Sequence, residues 1–412
     1  MEKYTRHVLD NGLTLLLLPD YTTQMASVCV LYRVGSRDED PKKTGLAHLF
    51  EHLMFSNCGK DIDFDEVLQN AGAESNAFTT PDTTNYYNIA PAKEIELLIA
   101  LEALRMKEFK VPKKDFITQQ RVVIEEFSEH YLNNPYGLFS HQLFNLAYQK
   151  HPYRWPVIGV DRDQIAQLSY DDATEFFDRY YNPSNAILAI SGNINSEEIL
   201  QLVKKYFEVI PGKNKNTNIY PQEDKIQQLR SQTVHANFPE EAIYIAIHSA
   251  ARKEHDFYTL DIFTDLLAEG KSSLLYSKLK KEKMLFSGID CYLTTTTDPG
   301  LIIVEGKLNP GVSIETGEEA FWSLLDECKQ NTMSQRDWEK YQHKNETAYL
   351  FSQVGVINQA LNISYSEWLG DADLIYTELD NYRKVTKEEI VSAAKHYFDP
   401  SKVSKLYYRK EE

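Results

Sequence analysis

Hydrophobic positions along this chain form short continuous runs, which alternate with stretches whose apolar residues recur at helical spacing. Apolar residues flank Asp10-Asn11-Gly12, so residues 8–18 are predicted to form a β-hairpin, because Asn-Gly favours a tight turn between strands. Pro112 predicts a break between two helices. The other predicted elements are a buried strand at 27–32, a short helix at 64–71, a strand end and helix at 89–109, and a helix from Lys113.

The pattern also contains an internal repeat. A helix that opens with a capping box at Ser169 ends before Pro183, and a second that opens at Thr386 ends before Pro400, so both features recur at an offset of 217 positions. Each helix is followed by an apolar run that predicts a strand, at 186–190 and at 403–408. The repeat predicts an α+β fold with two homologous α/β-sandwich domains.

A polar segment separates the two halves. The chain has 412 residues, which exceeds the size of one typical hydrophobic core and favours two domains. Residues from Pro211 to about Arg230 are polar and poor in large apolar side chains, as is typical of a linker. We therefore expect a first domain at 1–213, a linker at 214–231 and a second domain at 232–412.

Composition limits the classes of partner and compartment. The chain carries 44 basic and 61 acidic residues, a formal charge of −17, which argues against nucleic acid as a partner and favours cationic ligands or simple solubility. Four cysteines, Cys29, Cys58, Cys291 and Cys328, lack the paired spacing of a metal site and are predicted to be reduced thiols. With no apolar signal region and no segment of membrane-spanning length, the expected location is cytoplasmic, or periplasmic if a signal peptide was removed.

The candidate chemistry is concentrated in His48-Leu49-Phe50-Glu51-His52. His48 and His52 are four positions apart and so lie on one helix face, with Glu51 beside them. Two imidazoles and one carboxylate, with a water in the fourth position, are the usual ligands of catalytic zinc, and a further carboxylate can take the proton of that water. The order His-x-x-Glu-His is the inverted zincin signature, and by itself it could also arise by chance in a solvated helix.

The third ligand must come from elsewhere, and the helix predicted over 119–127 offers the best carboxylates. Here the chain resembles the pitrilysin, or M16, family of metallopeptidases, in which His-x-x-Glu-His is followed some seventy-odd residues later by a ligand glutamate. Glu126 lies 74 positions after His52 and matches, with Glu125 as its rival. The family carries another glutamate seven residues before the ligand, where this chain has Gln119, so a residue that would orient the ligand differs.

Other stretches carry the same resemblance in the same order. Residues 76–87 resemble the family's edge strand, in which Asn76 and Ala77 would bind the substrate backbone as an added strand. Further matching segments are His151-Pro152-Tyr153, Ile158-Gly159 and residues 181–185. Together these matches argue against a chance occurrence of the histidine motif. The alternative for residues 76–80 is a sheet edge that binds no substrate.

The resemblance implies a fold and an activity. The fold would be the LuxS/MPP-like metallohydrolase type, and the chain is most similar to the short bacterial and mitochondrial-processing-peptidase-like (M16B) members. It would be a zinc metalloendopeptidase that cleaves unfolded or extended peptides, with one Zn²⁺ per chain held by His48, His52 and Glu126. Glu51 would act as general base and then return a proton to the leaving amine.

The second half lacks this chemistry. Its histidines, His235, His248, His255, His343 and His396, stand singly and are predicted to have core or surface roles. Family enzymes carry an Arg and, seven residues later, a Tyr that hold the substrate, whereas this chain has Lys280 and Ser287. The chain therefore resembles the zinc-bearing subunit of a heterodimer whose homologous M16 sister supplies the pair, with a homodimer as the other option. The alternative function is a non-catalytic structural or binding subunit.

Overall fold

The computed structural model describes residues 4–57, 62–213, 215–330 and 333–411. Contacts divide the chain into unit 1, made of Met1–Ser128, Pro156–Ile219 and Leu350–Tyr376, and unit 2, made of Glu129–Trp155, Tyr220–Tyr349 and Thr377–Glu412. Each unit therefore takes in a segment from the other half of the chain. Cys58 and Asn214, for which the sequence predicted a thiol and the start of a linker, lie outside the described residues.

Unit 1 is built on a six-stranded sheet. Its strands are β1 (Thr5–Val8), β2 (Thr14–Pro19), β3 (Met25–Tyr32), β4 (Glu74–Thr79), β5 (Thr84–Pro91) and β6 (Ala186–Gly192), in the spatial order β1-β2-β6-β3-β5-β4. β1 and β2 are the expected hairpin, and β2 runs parallel to β6. β2, β3 and β6 are almost wholly buried, which explains their continuous apolar sequences.

Fourteen α-helices occur in the described residues. They are α1 (Leu46–Leu53), α2 (Phe64–Asn70), α3 (Ile95–Lys107), α4 (Lys113–Phe127), α5 (Phe139–Ala147), α6 (Arg162–Gln167), α7 (Tyr170–Tyr180), α8 (Ser196–Phe207), α9 (His255–Ala268), α10 (Ile314–Gln330), α11 (Gln335–Ser352), α12 (Val356–Leu369), α13 (Leu374–Lys384) and α14 (Lys387–Tyr397). Two π-helical segments lie at Ser128–Leu132 and Leu275–Glu282. The predicted helices are confirmed as α2, α3 and α4, and both capping boxes open the predicted helices α7 and α14.

The first sheet is covered on one face by α12, although this helix comes from the second half of the sequence. Ala360 and Ile363 are fully buried in the contact, and the Ser27 hydroxyl donates to the Val356 carbonyl at 2.8 Å. The sheet residues in this core are Leu16, Leu18, Cys29, Leu31, Ile187 and Ala189. Alternate residues of each strand therefore meet α12, as the two-residue period of a strand requires.

Unit 2 repeats the arrangement. Its strands β7 (Arg230–Ala236), β8 (Ala242–His248), β9 (Phe286–Leu293), β10 (Leu301–Leu308) and β11 (Ser404–Lys410) form a sheet in the order β7-β11-β8-β10-β9. Leu143 and Ala147 of α5 pack with sheet residues on one side, whereas α9, α10 and α14 supply a second core. α5 and α12 begin at Phe139 and Val356, which are 217 positions apart, as are the two capping boxes.

The expected α+β class with an internal repeat is thus confirmed. The domain bounds 1–213, 214–231 and 232–412 stay a prediction. Each compact unit contains segments from both sides of these bounds. None of the described helices combines the length and apolar character that crossing a bilayer requires. Cys29, Cys291 and Cys328 are free thiols, and burial raises the pKa of Cys29 to about 12.

An ion pair is completely buried in unit 1. The Arg105 Nε donates to Glu102 Oε2 at 2.8 Å, and both side chains have no exposed surface. Asn88 Nδ2 donates to the other oxygen of Glu102, and the guanidinium lies 4.6 Å from the centre of the Tyr86 ring. Since neither charge can reach water, each depends on the other for its stabilisation.

Replacing Arg105 by Met should therefore lower the free energy of unfolding of unit 1 by about 3–5 kcal/mol, because Glu102 would remain buried without a partner. The double variant Glu102→Gln/Arg105→Met removes both charges, keeps an acceptor for Asn88, and should be less destabilised than the single variant. Urea unfolding followed by circular dichroism measures both. A single variant as stable as the wild type would show that the pair is not needed.

Candidate metal centre

The histidine motif lies on α1, a helix of only eight residues. Leu46, Leu49, Phe50 and Leu53 bury one side of it, and the two histidines project from the other. The rings of His48 and His52 have their centres 5.0 Å apart and are nearly perpendicular. The predicted arrangement of two imidazoles on one helix face is therefore present.

The beginning of α1 is capped by a residue from outside the helix. Gly45, at the N-cap, has a φ of +87°, and a Cβ there would approach the Ile158 carbonyl to 2.6 Å. A Ser or Asp cap is therefore sterically excluded. Instead, the buried Glu39 carboxylate accepts the N–H groups of Gly45 at 3.1 Å and Ala47 at 2.7 Å. Glu39 therefore fixes the start of the helix, just before His48.

A tyrosine fixes the other end of the helix. The Tyr86 hydroxyl donates to the Phe50 carbonyl at 3.0 Å and lies 3.1 Å from the Tyr181 hydroxyl. Both tyrosines are buried, and Arg105 packs over the Tyr86 ring. The buried ion pair thus supports the residue that holds the carbonyl next to Glu51.

The second helix, α4, brings a carboxylate to the two imidazoles. Glu126 Oε1 lies 3.8 Å from His48 Nε2, and its Oε2 lies 3.6 Å from His52 Nε2. Glu125 is exposed and is not part of the group, whereas one ligand atom from each of His48, His52 and Glu126 lies within 4.8 Å of the others. Between the two glutamates that the sequence offered, the geometry brings together the set with Glu126.

These three residues fit a zinc ion. Ligand atoms at about 2.1 Å from a tetrahedral zinc are about 3.4 Å apart. The distances from the two imidazole nitrogens to the Glu126 oxygens, 3.8 and 3.6 Å, are only slightly longer. Burial, with a contribution from His52, lowers the pKa of His48 to about 4, so its imidazole is neutral and can bind a metal. The Nδ1 atom of His48 is buried and has no hydrogen-bond partner in the part of the chain that the structure describes. Gln119 is half-buried on α4 and contributes no ligand to the group.

Glu51, the predicted general base, accepts a hydrogen bond from β4. Thr79 Oγ1 donates to Oε2 at 2.7 Å. Burial raises the pKa of Glu51, whereas the Thr79 hydroxyl and the neighbouring His52 oppose that shift. Sequence reasoning included Thr79 in the edge-strand stretch but gave it no role, although strand alternation puts it on the same face as Ala77.

The strand that carries Thr79 is the edge of its sheet. β4 pairs with β5 and has no other neighbour among the described strands. Asn76 is exposed, Ala77 is 8% exposed, and the Ala77 N–H donates to Asn76 Oδ1 at 2.8 Å. The two predicted substrate contacts therefore lie on an edge strand, three and two residues before the threonine that binds Glu51.

Lys280 and Ser287, which replace the family's Arg and Tyr, each contact a neighbouring residue of the second half. Lys280, in the π-helical segment, has its ammonium group 5.8 Å from the Tyr276 ring centre. Ser287, on β9, donates to Glu240 Oε2 at 2.6 Å. Within the described ranges the second half contains no cluster of metal-ligating side chains, and His248 and His255 bond instead to the Ala147 carbonyl and to Glu389.

Known proteins resemble the chain over most of its length. Residues 15–161 match the family described as Insulinase (Peptidase family M16), and residues 167–345 match the one described as Peptidase M16 inactive domain. Zinc protease PqqE of Helicobacter pylori is 29% identical, and the alignment covers 99% of this chain and 93% of that protein. The probable mitochondrial-processing peptidase subunit beta of Schizosaccharomyces pombe is 26% identical over 71% of this chain and 66% of its own.

The fold is found in a solved structure as well. The crystal structure of a protease from Helicobacter pylori superposes with a TM-score of 0.93, at 28% identity and over 99% of both chains. The match described as inactive falls on residues 167–345, and the described residues of that range contain no metal-ligating group.

Replacing Glu126 by Gln should abolish stoichiometric zinc binding, because an amide oxygen is a far weaker zinc ligand than a carboxylate. Glu125→Gln is the matched control, since it removes the adjacent charge from the same helix and should retain the metal. Zinc content after dialysis, measured by atomic emission, distinguishes them. If Glu125→Gln loses zinc and Glu126→Gln keeps it, the ligand assignment on α4 is off by one residue.

Proposed function

The chain belongs to peptidase family M16, and we propose that it is a zinc-dependent endopeptidase that cleaves unfolded or extended peptides. The observation that carries the proposal is the convergence of His48, His52 and Glu126 from two helices, with Glu51 beside them. The names of its relatives as zinc proteases support zinc as the metal. His48 Nε2, His52 Nε2 and a carboxylate oxygen of Glu126 would hold it.

When bound, zinc would polarise the scissile carbonyl and make a water molecule more acidic. Glu51 would take a proton from that water at Oε1, because its Oε2 accepts the hydrogen bond from Thr79. The same oxygen would then give the proton to the nitrogen of the leaving amine. Thr79 would hold the carboxylate in one rotamer throughout and so keep the proton-accepting oxygen directed to the reacting atoms.

The free edge of β4 supports an extended substrate. A peptide that pairs with this edge would bind mainly through its backbone, which predicts broad tolerance of side chains. A substrate carbonyl would compete with Asn76 Oδ1 for the N–H of Ala77. Asn76 could then turn to bind the substrate backbone, which gives both predicted contacts a role.

A homologous sister chain is the proposed partner. The name of the S. pombe relative identifies it as a subunit, which supports an assembly for this chain as well. In this chain Lys280 and Ser287 stand where the family's substrate-holding Arg and Tyr are expected. A lysine lacks the planar two-pronged donor of arginine, and serine is much shorter than tyrosine. We therefore propose a heterodimer in which the sister supplies that pair, with a homodimer as the second option.

The alternative function is a non-catalytic structural or binding subunit, and the metal content of the purified chain distinguishes it from the endopeptidase. A structural subunit requires no zinc. The endopeptidase requires about one zinc per chain, and the His48→Ala variant should lose this zinc. A wild-type chain that binds no zinc under any condition would end the endopeptidase proposal.

Replacing Glu51 by Gln should leave zinc bound and reduce peptide turnover by about 10² or more, because the side chain keeps its size but no longer accepts a proton. Zinc content and cleavage of a quenched fluorescent peptide are measured on the same preparation, with Glu125→Gln as the matched acidic control. Loss of zinc together with activity would instead make Glu51 a ligand.

The chain alone should bind zinc yet cleave peptides weakly, and a homologous chain that carries the Arg and Tyr should restore turnover. The measurement is peptide cleavage before and after adding a sister chain encoded nearby, with size-exclusion chromatography to detect the complex. Full activity of the lone polypeptide, unchanged in Lys280→Ala and Ser287→Ala, would contradict the heterodimer and leave a homodimer or monomer as the working form.

A further inference from the structure

A groove in unit 1 is lined by cations, although the protein as a whole is acidic. The groove has a volume of about 520 Å³, and Arg179, Lys213 and Lys215 contribute to its wall. The chain carries a net charge of −17, so a local excess of positive charge is contrary to the general trend. This local charge is separate from the candidate metal residues, which are on α1 and α4.

The carboxylates near these cations already have partners. Asp178 pairs with Lys213 at 2.9 Å, and Glu367 accepts both arms of Arg6, at 2.8 and 3.0 Å. Asp38 Oδ1 accepts the side-chain amides of two residues that follow Lys215, Asn216 at 2.6 Å and Asn218 at 2.9 Å. These amide contacts fix the segment that carries Lys215.

Three cations in or behind the groove form no ion pair with a carboxylate of the described residues, although Glu367 attracts two of them, Lys215 and Arg33, from farther away. Arg179 donates only to the neutral amide oxygen of Asn218, at 3.0 Å. Lys215 has no hydrogen-bond or ion-pair partner there, and the Nε of Arg33 is buried without an acceptor. The guanidinium of Arg33 lowers the pKa of Lys215, and burial lowers the pKa of Arg33 itself. The two side chains are therefore close enough to repel each other.

We propose that this groove binds a small phosphate-bearing anion, held by Arg179, Lys213 and Lys215, with Arg33 behind Lys215. The class of ligand follows from charge. Among the described lining residues, three cations face one carboxylate, Asp178, which leaves a local charge of about +2. A single further carboxylate cannot balance this charge, whereas a phosphate carries about −1.5 to −2 at neutral pH and offers three acceptor oxygens. A bound phosphate would also relieve the repulsion between Lys215 and Arg33.

Calorimetric titration of the full chain with inorganic phosphate, at constant ionic strength, tests the site. We expect one saturable site, much weaker binding of acetate, and an affinity about fivefold or more lower in Lys215→Met and in Arg179→Gln, since each removes a charged donor. Lys253→Met is the matched control, an exposed lysine of unit 2 for which the structure describes no ion pair. Phosphate should raise the melting temperature of the wild type and the control but not of the two groove variants.

Two further measurements keep the test specific. Binding should persist in His48→Ala, which separates the groove from phosphate on zinc. Without phosphate, Lys215→Met should melt no lower than the wild type, because the substitution removes a repulsion. Equal phosphate affinity in the wild type and both groove variants, or no saturable binding beyond that of acetate, would overturn the proposal. A marked loss of stability in Lys215→Met would show instead that this lysine has a structural role.

Discussion

The candidate site depends on how α1 is held at both ends. An eight-residue helix is too short to be stable by itself, so its position must come from the surrounding structure. Glu39 satisfies the amides at its start, because Gly45 cannot carry a capping side chain, and Tyr86 binds the Phe50 carbonyl near its end. Both are polar groups in a buried environment, where a hydrogen bond that is broken leaves an unsatisfied group. The helix can therefore shift only if these bonds break, and so His48 and His52 keep their spacing from Glu126.

Sequence reasoning reached the residues whose signals are local or periodic. The spacing of His48 and His52 on a helix, the hairpin at Asp10 and the two capping boxes all depend on neighbours within a few positions. The choice of Glu126 over Glu125 came from the resemblance to a family, and the exposure of Glu125 agrees with it. Glu39 and Thr79 were not assigned roles, because their partners lie in other elements and leave no periodic trace. Only the fold brings Thr79 within 2.7 Å of Glu51.

The two sheets show how one architecture can hold different chemistry. Both contain a parallel pair, β2 with β6 and β7 with β11, followed by antiparallel neighbours and a free edge strand. In unit 1 the segment between β3 and β4 contains α1, which carries His48 and His52 of the candidate metal centre. The corresponding segment in unit 2, between β8 and β9, contains α9 and a π-helical turn, and no metal-ligating cluster occurs in its described residues. The two units share a strand order, whereas among the described residues the candidate metal ligands occur in unit 1.

Each unit contains a helix from the other half of the sequence, α12 in unit 1 and α5 in unit 2. The folding of each unit therefore depends on both halves of the chain. α12 covers Leu16, Cys29 and Ile187 of the first sheet, so a fragment that ends near residue 213 would expose this apolar face to water. Burying each such side chain stabilises the fold by roughly 1.5–3 kcal/mol, and several would be lost together. The second sheet depends in the same way on α5, which lies before its first strand in the sequence. Although the repeat predicts two domains, neither linear half contains all the residues of its own core.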